Sequence, residues 1–220
     1  MSGIVGSKFN HRGSGLIGSL GTDGQHFLSS GAGKTNVFET VAAASSDFVL
    51  ISTTTGTGTV SFDGDFSATY DNYLLVGYGI SNDGSDEDLR MRVRQADADV
   101  TASSYFRVWN GNYGTNVDGQ ARYDGADYAQ SYITISNNWD PTAAKPMQFN
   151  MWIYNPFQAS TYHYFTWHSS NVSPNSTLSY MNFSGSAHYY GNTTALSGLT
   201  FYAEPNGDID SINLKLYGLK

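Results

Sequence analysis

The chain has 220 residues, of which 14% are charged and 15% aromatic, and its formal net charge is −8. The charged fraction is well below the ~25% usual in globular domains, while the apolar 40% suffices for a core and excludes a globally disordered chain. Strong helix formers are too few for a helical bundle, and the acidic balance argues against binding to nucleic acid or to an anionic membrane. Because the chain has no cysteine, disulfides, thiolate zinc sites and cysteine nucleophiles are excluded.

Hydrophobic runs are short throughout the sequence. None approaches the ~18 residues that a membrane span requires. Residues 1–6 have neither the basic start nor the apolar centre of a secretory signal peptide. We therefore expect a protein that is not exported by such a signal and does not insert into a membrane.

Residues 1–46 are rich in Gly, Ser and Ala, and their apolar side chains are scattered without a period of two or of 3.6. Glycine at this density makes folding of the isolated segment entropically costly, yet a plain linker has few large apolar residues. A flexible linker therefore remains one interpretation. We favour an extended attachment arm whose apolar anchors become ordered on a partner surface. The candidate anchors are Ile4, Val5, Phe9, Leu16, Ile17, Leu20, Phe27, Leu28, Val37 and Phe38.

One stretch of this arm, Gly-Ala-Gly-Lys-Thr at 31–35, is similar to the end of a phosphate-binding loop. That motif needs a further glycine at position 28, where this chain has Leu28. No strand pattern precedes the stretch and no helix pattern follows it. We expect no nucleotide and no other cofactor.

From Asp47 onward the sequence changes to short strand-like runs separated by turn residues such as Asn-Gly and Asp-Gly. Leu89, Met91 and Val93 alternate strictly with arginines, so we predict that these three side chains are buried on one face. The strand-like runs are 48–51, 57–62, 73–78, 89–94, 105–109, 132–135, 147–154, 162–167, 178–183, 199–202 and 209–217. Such runs without helical patterns predict an all-β fold, an antiparallel, jelly-roll-like β-sandwich over residues 47–220 preceded by the arm.

Two groups of residues could bind a metal ion. The acidic run 82–88 offers several hard oxygens, but it lacks the spacing of an EF-hand loop, and a solvated turn is the simpler interpretation. His163 and His168 are five positions apart in a strand-like region, so they should point to opposite faces and cannot readily share one ion. We expect no metal site, and calcium binding by the acidic run stays open.

Signs of catalysis are weak. The chain has no G-x-S-x-G elbow for a nucleophilic serine. Asp118, Asp124 and Asp127 could supply paired carboxylates for glycoside cleavage, but they lie in a Gly-rich stretch without the sign of a cleft. We expect a protein that is not an enzyme.

The aromatic residues suggest recognition. Tyr and Trp beside Asn and Asp are the types that stack on sugars and bond their hydroxyls, and they also build cores and subunit interfaces. Residues 110–130 are polar and rich in Gly and Tyr, which makes them the most loop-like stretch and the place where recognition is expected. The candidate recognition residues are Trp109, Tyr113, Tyr123 and Tyr128.

Several segments resemble virion proteins of tailed bacteriophages. Residues 13–25, which contain Gly-Thr-Asp-Gly-Gln, followed by Ser-Ser-Gly-Ala-Gly at 29–33, look like a segment found at the N-terminus or between fibre modules. The second part of the chain looks like the β-sandwich tip domain of phage fibre and decoration proteins. The segments that carry this likeness are 70–76, 89–93, 153–156 and 216–220.

The resemblance implies a structural protein on the outer surface of the virion, a homotrimer that contacts major capsid or tail proteins. Because the chain has no heptads for a shaft, we expect a capsid decoration (cement) protein or a short head fibre. The alternative is a tail-fibre or tail-tip adhesin that recognises a host-surface glycan or protein. One departure affects a loop, since Gln-Ala-Asp-Ala-Asp at 95–99 stands where the family often has Ser-Thr-Asp-Gly-Gly.

Overall fold

The chain divides into two units, Met1–Ser46 and Asp47–Lys220. The computed structural model describes the following residues: 25–28, 37–40, 47–82, 87–115, 119–139, 145–172, 180–204 and 207–219. The acidic run 82–88, for which a solvated turn is the simpler interpretation, lies largely outside these ranges, because only its ends are described. The expectation of a turn is therefore still a prediction, and calcium binding there stays open.

In the first unit, strands β1 (Gln25–Leu28) and β2 (Val37–Thr40) pair antiparallel, with Phe27 opposite Phe38. Four of the ten candidate anchors therefore belong to a two-stranded sheet. The sequence does not predict this pairing, because strands of four residues are too short to establish an apolar period. The other candidate anchors lie outside the described residues: Ile4, Val5, Phe9, Leu16, Ile17 and Leu20.

The second unit is built from strands, and none of its described residues is helical. Its strands are β3 (Phe48–Gly58), β4 (Val60–Asp63), β5 (Asn72–Asn82), β6 (Glu87–Gln95), β7 (Ala98–Asp99), β8 (Tyr105–Thr115), β9 (Gly119–Gln130), β10 (Ile133–Trp139), β11 (Met147–Tyr154), β12 (His163–Val172), β13 (Tyr180–Tyr189), β14 (Gly198–Glu204) and β15 (Ile209–Leu219). Every strand-like run of the sequence overlaps one of them. The prediction of an all-β fold is confirmed.

Two antiparallel sheets form a sandwich of unequal layers. The larger sheet has eight strands in the order β3-β15-β5-β11-β12-β13-β8-β9. The smaller sheet has the order β10-β6-β14-β4, with β7 added beside β6. The predicted antiparallel β-sandwich is thus the fold of this unit.

The core lies between the two sheets. Leu89, Met91 and Val93 of β6 are wholly buried, which confirms the predicted register of the arginine-containing strand. Phe149 of the larger sheet stacks on Phe201 of the smaller one, with ring centroids 5.5 Å apart, so aromatic packing joins the layers. Other wholly buried inward side chains are Tyr73, Leu75, Ile133, Met151, Ile153, Phe165 and Leu199.

Aromatic rings on the inner side of the larger sheet lie beside glycines of the neighbouring strand. A Cβ atom added to Gly185 would come within 2.3 Å of the Trp167 ring, and one added to Gly77 within 2.2 Å of the Phe149 ring. Each glycine is the direct register partner of its aromatic residue. The glycines therefore make the room that the large rings occupy. The same relation joins these further register pairs: Gly111 with Phe183 and Gly125 with Trp109.

Residues 110–130 are not a loop. Strands β8 and β9 contain all of the stretch except 116–118 and pair antiparallel over their length. The stretch looks loop-like because β9 is the last strand of the sheet, where a strand needs little apolar alternation. Its order comes from backbone pairing with β8, which residue types alone do not report.

Candidate binding surface

The outer face of the larger sheet carries the most distinctive surface of the described residues. Successive residues of a strand point to opposite faces, and on β12 the burial alternates strictly, with Phe165 buried and Tyr164 half exposed. The register across all eight strands then fixes which outward side chains lie side by side. Two such rows cross all eight strands, and they lie near the same end of each strand.

The first row contains mainly aromatic and aliphatic side chains. It begins with Phe48 on β3, which is 42% exposed, and ends with Tyr128 on β9, which is 68% exposed. Tyr128 joins the row through its ring contact with Phe106 at 6.2 Å. In strand order the row is Phe48, Leu219, Asn72, Tyr154, Tyr164, His188, Phe106 and Tyr128.

The second row lies beside the first, two residues further along each strand. In strand order it is Leu50, Tyr217, Leu74, Trp152, Thr166, Ser186, Val108 and Ala126. No member of either row is buried, and none is Asp, Glu, Lys or Arg. We call the surface made by these two rows the aromatic half-face.

The neighbouring part of the same outer face is polar. The next outward row includes Lys215, Asn150, His168 and Asp124. Charged and amide side chains thus resume immediately beside the aromatic half-face. The outer side of this one sheet is divided into an uncharged part and a hydrated part.

The rings at the β9 end of the half-face contact one another. Tyr128 stacks on Tyr190 with centroids 5.4 Å apart and planes 6° from parallel. The His188 ring lies 5.4 Å from Phe106 and 5.7 Å from Tyr164. Because these neighbours desolvate the imidazole, the pKa of His188 lies below its ordinary value. The neutral form of the His188 imidazole is therefore favoured beside the uncharged rings at the β9 side of the half-face.

Contacts also fix the rings nearer the other end. Phe48 and Trp152 meet at 6.2 Å, and the Tyr154 hydroxyl lies 3.1 Å from Oγ1 of Thr166. The half-face is thus a packed surface rather than a set of independent side chains.

The structure does not bring the four candidate recognition residues together. Tyr128 belongs to the outer face, whereas Trp109 points to the inner side, where it packs against Phe183 with centroids 6.0 Å apart. Arg107 covers the Trp109 ring at 5.5 Å. Tyr113 and Tyr123 lie in β8 and β9, and their side chains are outside the described part of the structure.

Trp109 also borders an open depression of about 710 Å³ at strands β8, β9, β12 and β13. Asn110, Asp124, Ser184 and Ser186 are among its lining residues. The indole Nε1 of Trp109 is buried and has no described hydrogen-bond partner. These polar groups lie on the outer face and could hydrogen-bond a polyhydroxy ligand, whereas the Trp109 ring packs on the inner side and cannot stack on such a ligand.

The two histidines of β12 occupy opposite faces, as predicted. His163 is wholly buried and its Nε2 lies 2.9 Å from the Thr194 carbonyl oxygen, while His168 is exposed with Nδ1 2.8 Å from Ser184 Oγ. Burial lowers the pKa of His163. In the described ranges, no three His, Asp or Glu side chains are grouped closely enough to hold a metal ion.

Among the residues that the structure describes, no helix is both long and apolar enough to cross a bilayer. Comparison of the chain with protein-family models, with curated proteins and with solved structures finds no match.

Proposed function

We propose that this chain is a non-catalytic structural protein of a tailed-phage virion. Its N-terminal arm attaches it to major capsid or tail proteins, and its β-sandwich is displayed on the outside of the particle. The most specific form of the proposal is a capsid decoration (cement) protein or short head fibre that acts as a homo-oligomer, with a homotrimer expected from the resemblance.

The aromatic half-face is the observation that carries this proposal. A broad, uncharged and ring-rich surface on an otherwise acidic chain is characteristic of a binding or assembly surface. The sequence likeness of residues 13–33 and of the sandwich strands to virion proteins is the reason for proposing that the protein assembles on a phage particle. The anchors of the arm supply a means of attachment.

A second candidate function is a tail-fibre or tail-tip adhesin. The depression lined by Asn110, Asp124 and Ser184 favours it, because these polar groups could hydrogen-bond a host-surface glycan. In that case the sandwich would contact the host rather than cover the capsid.

Immunogold electron microscopy of particles with antibodies against the recombinant protein tests the proposal. We expect gold over the whole capsid surface at high copy number. Gold confined to the tail, together with purified protein that blocks adsorption of phage to host cells, would favour the adhesin. Unlabelled particles from a lysate that contains the protein would contradict both functions.

A further inference from the structure

We propose that the aromatic half-face is an interface at which a neighbouring copy of this same chain packs. The proposal rests on the proposed function only in that a virion surface protein acts as an assembled oligomer. The surface itself provides the physical reasons, which concern its composition, its charge, its area and its rigidity.

The composition is that of an interface core. Such cores are enriched in Tyr, Trp and Phe, depleted of charged side chains and more apolar than the interface as a whole. The half-face has rings on seven of the eight strands of the sheet, including Trp152 and Tyr217, and no charged side chain. A glycan would instead require convergent carboxylate, amide or guanidinium groups. Asn72 is the one amide in the two rows.

Charge favours a second copy over a cationic or an anionic partner. The chain carries a net charge of −8, so two copies repel each other over most orientations. The uncharged half-face is a place where they can meet without placing like charges in contact. A basic partner would gain nothing from this part of the surface, because it offers no acidic side chain.

The area is sufficient for the centre of an interface. Eight strands at ~4.8 Å spacing and two outward rows at ~7 Å intervals give a surface of roughly 500 Å². A standard interface buries ~800 Å² on each partner. The half-face therefore supplies the apolar centre of an interface, and polar side chains around its border would supply the hydrated rim.

The half-face is already ordered in the single chain. The stacked pair of Tyr128 and Tyr190 and the contact of Phe48 with Trp152 hold the rings in place. Association would therefore cost little additional side-chain entropy. Two such faces can pack as β-sheets do in a sandwich, about 10 Å apart.

The test introduces one charge into each part of the outer face of β12. Tyr164→Glu places a carboxylate in the half-face, where the native side chain is 50% exposed, and His168→Glu places one in the polar row of the same strand. Light scattering coupled to size-exclusion chromatography gives the mass of the full-length chain at micromolar concentration. We expect a multiple of 23.9 kDa for the wild type and for His168→Glu, and the monomer mass for Tyr164→Glu.

Circular dichroism verifies that each variant keeps the β-sheet spectrum. If Tyr164→Glu does not fold, Trp152→Glu with the control Asn150→Glu repeats the comparison on β11, where the two residues also occupy the half-face and the polar row. A wild type that stays monomeric overturns the proposal. So does an oligomer that survives the half-face charge, or one that dissociates equally with either charge.

The result is independent of where the protein lies on a particle. Unlabelled particles in immunogold microscopy together with an oligomer sensitive to Tyr164→Glu would refute the virion function and support the interface. Labelled particles together with a monomeric wild type would do the reverse.

Discussion

At the scale of single residues, several glycines and aromatic residues of the larger sheet are paired for one structural reason. On the inner side of the larger sheet, the rings of Trp167 and Phe149 occupy the volume that a Cβ atom on Gly185 or Gly77 would need. Two large rings on neighbouring strands could not both lie flat in the core. Each of these rings is therefore paired with a residue that has no side chain.

The relation between Gly185 and Trp167 gives a stability prediction. We expect Gly185→Ala to reduce the free energy of unfolding by about 1–3 kcal/mol, because the added methyl group must displace a buried indole. That indole also donates a hydrogen bond to the Ile135 carbonyl oxygen at 3.0 Å. Urea unfolding measures the change.

Gly114→Ala is the matched control, because a Cβ atom there has no heavy atom within 4 Å. We expect it to leave stability nearly unchanged. Equal losses in the two variants would show that the cost lies in the backbone and not in the ring.

His163 gives a prediction about pH. Burial lowers the pKa of the folded-state imidazole below its ordinary value of 6.5, so protons bind preferentially to the unfolded chain as the pH falls. The stability that this group contributes is complete above about pH 6.5 and is lost as the pH falls toward the folded-state pKa. We expect His163→Gln, which can still donate to Thr194, to show a smaller decrease in melting temperature between neutral and mildly acidic pH.

His168→Gln is the corresponding control on the same strand, since His168 is exposed. Its melting temperature should fall with pH as that of the wild type does. A wild-type pH dependence in His163→Gln would show that other groups dominate the acid response.

At the scale of elements, an ion-pair network stabilises the outer face of the smaller sheet. Arg94 of β6 contacts Asp63 of β4 at 2.8 Å and also pairs with Asp99 of β7. Arg90 contacts Glu204 of β14 at 2.6 Å. The alternation of β6 thus supplies a core on one side and cross-strand ion pairs on the other.

Replacing Arg94 tests that network. Arg94→Gln should lower the free energy of unfolding by about 1–3 kcal/mol, because charge-assisted hydrogen bonds to two partly buried carboxylates are lost. Arg92→Gln is the matched control on the same face. Arg92 lies over the Tyr202 ring at 4.5 Å and donates to the Ser131 carbonyl oxygen, and no carboxylate pair is described for it.

Chemical denaturation of the two variants measures the difference. If Arg94→Gln lowers the free energy of unfolding no more than Arg92→Gln does, the prediction is wrong. That result would mean that hydration stabilises the carboxylates of Asp63 and Asp99 as well as Arg94 does.

The sequence predicts the elements better than their arrangement. Alternation identifies β6 because Leu89 and Met91 must face the core, and it fails for β9 because an edge strand is ordered by backbone pairing. The aromatic half-face could not be predicted from the sequence. Its rows join Phe48 to Tyr164 and Phe106 through pairings between distant strands, and no local pattern reports that order.

At the scale of the whole molecule, the division at Ser46 and Asp47 gives a prediction for the arm. Deleting residues 1–46 should leave the β-sheet circular dichroism and the melting temperature of the sandwich nearly unchanged, because its core is formed within residues 47–220. Attachment to particles should be lost, since the candidate anchors are removed. Particle-binding assays by co-sedimentation measure the second effect.

A truncated protein that still co-sediments with particles at the wild-type level would assign attachment to the sandwich instead. A truncated protein that no longer folds would mean that the first unit is needed for the stability of the second.

The eight-stranded sheet also has two ends, β3 and β9, and each pairs with one strand in the described structure. An unprotected end of this kind can template addition of a foreign strand and growth into fibrils. Asp124 of β9 is exposed, and Asp127 is paired with Arg107 of β8, so a strand added at this end would have to desolvate charged side chains. Where many copies are concentrated, this cost would direct association away from strand addition and toward the flat side of the sheet.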